Sequence, residues 1–449
     1  MSEGFDVVIL GGGPAGEAVV RRLDGEGLRV ALVERELVGG ECAYWACVPS
    51  KTLLRAPEVR VQARRVQGLS EPEQTWEEIA SYRDFMISNL DDADKAARVE
   101  AAGATLVRGE GRIASPGRVT VGGCTLEAER IVIATGTVAA IPSVEGLEAA
   151  RYWTTREVCT MRVPPTDAVV LGGGPVGVET AQMLRRHGAG VTIVEEAERL
   201  LSGEDATVGE HLARRLGEEG VDLRLATRAA RVEEANGRLV VHLDDDGSPV
   251  EAERVVVATG RAPRVEGIGL ELVGIELGES GGIDVDESCR AGDGIWAVGD
   301  VTSVLPFTHV AHYQGEIAAD DILGGPRSAD YRAIPRVVFT DPEVAAVGLT
   351  REQAKAHQLA VSEGSVDLET LARTGTYGAG HHGVMTVLAD RKQGVLVGAC
   401  AVGPLASEWI GAAVIAIKTR VPVAVLCDTP MQFPTFGEAL GYAVRDLDG

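Results

Sequence analysis

Residues 6–36 read DVVILGGGPAGEAVVRRLDGEGLRVALVERE, and residues 168–198 read AVVLGGGPVGVETAQMLRRHGAGVTIVEEAE. The two stretches repeat one pattern at an offset of 161 residues, with Gly11 falling on Gly172, Pro14 on Pro175, Val33 on Val194 and Glu34 on Glu195. Each starts as a short aliphatic run, passes through a glycine cluster into helical periodicity, and ends in a second apolar run closed by glutamate. That order is strand, turn, helix, strand. Parallel strands joined by a crossover helix build doubly wound sheets, so an α/β chain with two such domains is predicted.

The glycine spacing says what the turns are for. Gly11-x-Gly13-x-x-Gly16 and Gly172-x-Gly174-x-x-Gly177 each open a helix after a strand. Glycine allows the tight turn and lets the backbone approach a pyrophosphate at the positive helix N-terminus. Glu34 and Glu195 each lie 23 residues after the first glycine, placed to accept ribose hydroxyls. One such cluster alone is often a plain tight turn; two in the same context predict two Rossmann-type dinucleotide sites. Glu195 repels a ribose 2′-phosphate, so the second site is expected to prefer NAD(H) over NADP(H). The alternative has Glu195 facing solvent and Arg199 taking a phosphate.

Composition narrows the rest. The 449 residues carry 56 glycines, about 12% against a usual ~7%, which asks for many turns or many close backbone approaches. A formal charge of -24 makes nucleic acid and anionic membranes poor partners. The start, MSEGFDVVIL, lacks a basic leader, and the apolar run at 410–417 is far shorter than a membrane span. A soluble, cytoplasmic protein is expected. Seven cysteines are too few for a disulfide scaffold, so any disulfide should be redox-active.

A second echo sets EAERIVIATG at 127–136 against EAERVVVATG at 251–260. Both end a strand where the chain turns away from a ligand, which marks Thr135, Gly136, Gly260 and Arg261 as candidates. Residues 55–106 predict one or two solvated helices. From 333 the pattern changes to alternating strands and one apolar helix, an α+β domain without a fingerprint. The expected division is a first dinucleotide-binding part at 1–150, a second dinucleotide domain at 151–265, a return to the first at 266–332, and an interface domain at 333–449.

The segment 39–51, GGECAYWACVPSK, carries Cys42 and Cys47. In an ideal helix these cysteines would stand roughly 8–9 Å apart, beyond the ~7 Å a disulfide spans. Pairing therefore needs a distorted turn, and strain makes such a bond reducible. A metal site lacks further nearby ligands, so no metal is expected. Two inert core cysteines remain an alternative on local sequence. The cysteines at 124, 159, 289, 400 and 427 are isolated and read as small core residues.

Taken together, GGGPAG, GGECAYWACVPSK, ATG, GGGPVGVE, ATGRAP, GIWAVGD (294–300), PFTHVAHYQG (306–315) and PRVVFTDPEVAAVGLT (335–350) resemble the class I pyridine nucleotide–disulfide oxidoreductases: dihydrolipoamide dehydrogenase, glutathione reductase, mercuric reductase and relatives. The resemblance covers essentially the whole chain. It implies a homodimer held by the C-terminal domain, with FAD at the first fingerprint near Gly40 and a nicotinamide at the second. It assigns Cys47 as the flavin-proximal thiolate and Cys42 as the interchange thiol. Lys51 would pair with Glu179 beside the flavin and the nicotinamide, and Asp300 would hold the ribityl or pyrophosphate part of FAD. The helix starting near Thr308–His309 would aim its N-terminus at the flavin.

The sequence departs from that family at one place. Disulfide-reducing members carry His-Pro-Thr-x-x-Glu near the C-terminus; here the run is Phe433-Pro434-Thr435-Phe436-Gly437-Glu438. Histidine takes a proton from a substrate thiol near neutral pH, and phenylalanine cannot. Glu438, His381, His382 or Tyr44 are the possible replacements. The expected function is electron transfer from NADH through FAD and Cys42–Cys47 to a small thiol or disulfide substrate, dihydrolipoamide dehydrogenase-like. The alternatives are another acceptor (a metal ion, a quinone or a coenzyme-bound electrophile in an apolar pocket made by Phe433) and a non-catalytic flavin-bound redox sensor.

Overall fold

The computed structural model describes residues 2–244, 247–378, 380 and 382–447. They gather into two compact units, one formed by the chain up to residue 50 with 81–140 and 260–330, the other by 51–80, 141–259 and the chain from 331 onward. Residues 51–80 and 141–150 thus group with the second unit.

The first unit is built on an eight-stranded sheet. Its main path runs Arg290–Gly292, Ile295–Ala297, Cys124–Ile133, Ser2–Leu10, Val30–Glu34, Ala104–Arg108, and the central pairs are parallel. The first strand lies mid-sheet. From it the chain winds outward through Val30–Glu34 on one side, then returns to add Cys124–Ile133 on the other. This reversal opens a crevice beyond Leu10, where doubly wound sheets bind ligands. Val7, Val8 and Ile9 are all fully buried because both faces are covered. Val7 and Ile9 meet Val19 and Ile317 from the helices Pro14–Leu23 and Thr308–Ile322, while Val8 and Leu10 meet Ile113 and Val119 from the antiparallel pair Gly111–Ser115 and Arg118–Val121. Burial on both faces explains why the strand reads as a continuous apolar run.

The second unit contains the sequence repeat as a four-stranded parallel sheet, Asp222–Arg224, Gly190–Val194, Asp167–Leu171, Arg254–Val257. The helices Pro175–Arg186 and Ala206–Glu218 bury their apolar stripes on one face, and a three-stranded meander covers the other. A five-stranded antiparallel sheet spans Pro335–Val338 to Val395–Gly403, and the helices Gly411–Lys418 and Glu438–Asp446 pack onto it.

Three local expectations need correction. The charged stretch after the cysteines forms three helices, Cys47–Arg65, Trp76–Met86 and Ala93–Ala101; Gly68 and Pro72 interrupt the pattern between the first two, and a turn with positive φ at Ser88, Asn89 and Leu90 separates the last two. The apolar helix near 410 is two pieces, Ala406–Trp409 and Gly411–Lys418. Among the isolated cysteines, Cys159, Cys289 and Cys400 are buried and Cys427 partly so, but Cys124 is exposed, since it follows the Gly122–Gly123 turn at the start of its strand.

A charged network lies inside the second unit. Arg186 donates to Asp341 Oδ2 at 2.8 Å and to Glu219 Oε1 at 2.6 Å, and Arg65 Nη1 reaches Asp341 Oδ1 at 3.1 Å. Burial opposes ionisation of Asp341, yet Arg186 and Arg65 together hold its carboxyl below the usual carboxylate range. A depressed carboxyl stabilises the fold above its unfolded pKa of about 3.9 and loses that contribution as pH falls through the folded value. Asp341→Asn should therefore lower unfolding free energy by about 3 kcal/mol at pH 7, measured by urea denaturation. The gap from the wild type should narrow as the titration is repeated at progressively lower pH below 4.

Candidate active site

The two fingerprints adopt the same geometry. Gly11 and Gly172 sit at φ 113° and 108°, a region that favours glycine. A Cβ on Gly16 would stand 2.0 Å from Gly11 O, and one on Gly177 would stand 1.9 Å from Gly172 O. The strand end and the helix start are therefore in backbone contact. Gly13 and Gly174, the residues preceding the helices, have open space before them. A packed back and an open front, at an N-terminus with no side-chain cap, form a cradle that fits a pyrophosphate.

Glu34 and Glu195 sit at their strand ends as expected, and they do more than await a ribose. Glu34 accepts the N–H of Gly12 at 2.7 Å and of Glu36 at 2.6 Å; Glu195 accepts those of Gly173 and, at 2.7 Å, Ala197. Each carboxylate ties the glycine turn to the following loop, and its remaining lone pairs are left for a hydroxyl. Glu195 thus faces the turn rather than solvent. Arg199 donates Nη2 to Ser202 O and Glu204 O, so that part of its guanidinium is used within its own loop.

In the first unit the cysteine segment is fastened to the first fingerprint. Gly39 N–H donates to Gly12 O at 2.7 Å, and a Cβ on Gly40 would come within 3.0 Å of Gly13 Cα. The anticipated distorted turn is present: a short helix Gly40–Tyr44 ends at Trp45, and a new helix starts at Cys47. The hydroxyl of Thr308 lies between the sulfurs, donating to Cys42 Sγ at 3.2 Å and standing 3.6 Å from Cys47 Sγ. Thr308 is the first residue of Thr308–Ile322 and Cys47 the first of its own helix. Positive ends of two helix dipoles thus favour negative charge on sulfur here. His309, next in the helix, is exposed and stacks on Phe307 with centroids 5.3 Å apart.

Beside the strand ends of the same unit, Thr137 Oγ1 donates to Asp300 Oδ2 at 3.1 Å and accepts Arg261 Nε at 2.6 Å. Thr135 Oγ1 donates to Arg264 O at 2.8 Å. Gly136 and Gly260 turn there at φ 70° and 133°. In the second unit, Lys51 Nζ reaches Glu179 Oε2 at 2.6 Å, the pairing the resemblance implied. Phe339 completes this arrangement: its N–H donates to Glu179 Oε1 at 2.8 Å, and its ring centroid is 4.7 Å from Lys51 Nζ. Thr137 and Phe339 went unmarked in the sequence, and Thr308 was marked only as a helix start, not as a partner of the cysteines. Thr308 and Phe339 stand inside quoted motifs, but no spacing rule joins Thr308 to a cysteine 266 residues earlier.

The acid–base expectations fare differently. Phe433 is 73% exposed rather than set in an apolar pocket. Glu438 is buried at the start of the last helix. Tyr44 is buried, donates to Val38 O at 3.1 Å, and burial pushes its phenol up to about 12, so it cannot exchange protons at neutral pH. His382 pairs with Glu369 on the surface, and His381 lies outside the described residues. Among the described residues, no three His, Cys, Asp or Glu side chains are grouped to hold a metal ion, and no helix is long and apolar enough to cross a membrane.

Comparison with known proteins fits this geometry to a family. The pyridine nucleotide-disulphide oxidoreductase family matches residues 5–315, and the dimerisation domain of the same family matches 334–444. The chain belongs to that family. It is 31% identical to a mercuric reductase of Bacillus cereus over 99% of this chain and 72% of that protein. It is 30% identical to the dihydrolipoyl dehydrogenase of Halobacterium salinarum, over 100% and 99%, and 32% identical to a glutathione reductase of Burkholderia cepacia, over 97% of each. The crystal structure of LpdA from Mycobacterium tuberculosis superposes with a TM-score of 0.88 at 30% identity, covering 99% of both chains. The protein is therefore an FAD-dependent pyridine nucleotide–disulfide oxidoreductase with a dimerisation domain that points to a homodimer.

The shared hydroxyl yields a test. Thr308→Val removes the donor to sulfur while keeping the shape. In the reduced enzyme, alkylation of Cys42 by iodoacetamide at pH 7 should slow about three- to tenfold, the worth of one ordinary hydrogen bond. Peptide mapping of the modified cysteine measures it.

Proposed function

We propose that the protein exchanges two electrons between the nicotinamide and a small disulfide through the Cys42–Cys47 pair, NADH reducing the disulfide in one direction and a dithiol reducing NAD in the other, as in a dihydrolipoamide dehydrogenase. The observation that carries this is the pair itself, two cysteines on successive helices sharing the hydroxyl of Thr308. FAD, when bound, supplies the two-electron relay between a reduced nicotinamide and a disulfide. Residues 1–150 and 266–332 form its domain in this reading, 151–265 the nicotinamide domain, and 333–449 the interface between two copies. Gly11, Gly13 and Gly16 receive the flavin pyrophosphate, and Glu34 an adenosine ribose. Thr135, Gly136, Gly260, Arg261, His309 and Asp300 border the rest of that cofactor, with Gly40 closing the cradle.

Gly172, Gly174 and Gly177 receive the second pyrophosphate. Glu195, fixed by two backbone donors, favours a free 2′-hydroxyl over a 2′-phosphate, which supports NAD(H) over NADP(H). Lys51 and Glu179 present a fixed charge pair to the reacting centre. Cys47 holds thiolate charge at its helix start, and Cys42 exchanges with substrate. Glu438, buried at the start of the last helix a few residues after the exposed Phe433, is the group to which we assign proton transfer. We place the protein in the cytoplasm, where dithiols stay reducible.

Purified protein should carry flavin that NADH reduces anaerobically, with kcat/KM for NADH well above that for NADPH. Absence of flavin, or no reduction by NADH, overturns the proposal. A second reading is favoured by Phe433, which lacks the proton chemistry of histidine: the electrons go instead to a metal ion, a quinone or a coenzyme-bound electrophile. Phe433→His separates the two. A gain in lipoamide turnover of tenfold or more, within the usual worth of a general base, supports a disulfide enzyme that has lost its base. An unchanged lipoamide rate with brisk wild-type reduction of Hg²⁺ or quinone supports the second reading.

A further inference from the structure

The ion pair of Lys51 and Glu179 is held by more than its own charges. Glu179 Oε1 is occupied by the N–H of Phe339 at 2.8 Å, which leaves Oε2 to Lys51 at 2.6 Å. The ring of the same Phe339 faces the ammonium, with its centroid 4.7 Å away. One residue therefore touches both partners, the carboxylate through its backbone and the cation through its π face. We infer that Phe339 is a positioning residue, fixing the side-chain geometry of Lys51 and Glu179 for the nicotinamide reaction.

The loop that carries Phe339 is itself fastened to the helix that carries Glu179. Gln182 forms a reciprocal amide pair with the backbone of Asp341, accepting its N–H at 2.8 Å and donating to its carbonyl at 3.0 Å. Arg186 binds the Asp341 carboxylate at 2.8 Å. Residues 179, 182 and 186 lie at i, i+3 and i+7, on one face of Pro175–Arg186. That face grips 339–341 at successive turns, so the ring is set by a rigid element rather than by a free loop. Phe339 nonetheless remains 38% exposed. An aromatic ring left partly in water, above a cation and at the end of a buried clamp, is poorly explained by core packing. Cation–π contact explains it.

The inference rests on the reading of Lys51 and Glu179 as the pair beside the reacting centre, and two measurements keep the two claims apart. The chain has five lysines, at 51, 95, 355, 392 and 418. Trace acetylation of the holoenzyme with peptide mapping reports the reactivity of each against the others. Phe339→Leu keeps the backbone donor and removes the ring. It should raise the relative reactivity of Lys51 about two- to fivefold, the worth of an exposed cation–π contact, while the other four stay level. Phe339→Tyr, which restores a π face, should return Lys51 to its wild-type rate. Equal Lys51 labelling in Phe339→Leu and wild type overturns the inference, as does a uniform rise at all five lysines, which would mean general loosening. Anaerobic reduction by NADH is followed in the same proteins and in Lys51→Met. If Lys51→Met is reduced at the wild-type rate, the role assigned to the pair is wrong, whatever the labelling shows.

Discussion

The structure depends on how close a strand end can come to the helix that follows it. At both fingerprints the helix start lies against the carbonyl of the first glycine, so near that one Cβ at Gly16 or Gly177 would overlap it. Only glycine permits the contact, and the contact is what turns each helix N-terminus toward the crevice at the sheet edge. A larger residue would tilt the helix off its sheet and close the space in front of Gly13 or Gly174. Glu34 and Glu195 then fix the turn from the other side by holding the amides of Gly12 and Gly173.

Chemistry is built on that frame by short, well-held contacts. In the first unit, Gly39 is hydrogen-bonded to Gly12, which carries the cysteine segment to the fingerprint, and Thr308 brings a hydroxyl to both sulfurs. In the second, one helix face holds the loop 339–341 and with it the ring facing Lys51. The same device recurs: a helix start or helix face, rigid because its apolar stripe is buried, presents one or two polar groups in fixed positions.

Much of this was legible in the residues. The duplicated run of strand, glycine turn, helix and strand has a period and a spacing that burial on both faces enforces, so the parallel sheets could be read directly. The broken helix between Cys42 and Cys47 is what distance requires if the two are to pair. What could not be read were partners far apart in sequence: Thr308 with the cysteines, Phe339 with Lys51, Thr137 with Asp300. Local periodicity carries no information on such pairs, because they meet only where elements distant in the chain pack together. Tyr44 shows the converse. As residue type it could serve proton transfer or packing, and burial with a hydrogen bond to Val38 O makes it a packing residue.

The amino-acid sequence by itself pointed to the fold class and the two glycine turns, because each strand, turn, helix and strand lies within about 30 positions whose sterics allow few conformations. Tertiary structure alone decided which hydroxyl serves the sulfurs, which ring faces the lysine, and that Phe433 stands exposed while Glu438 is buried. Those outcomes depend on how sheets and helices distant in the chain share their edges, and burial, not residue type, then sets what each group can do.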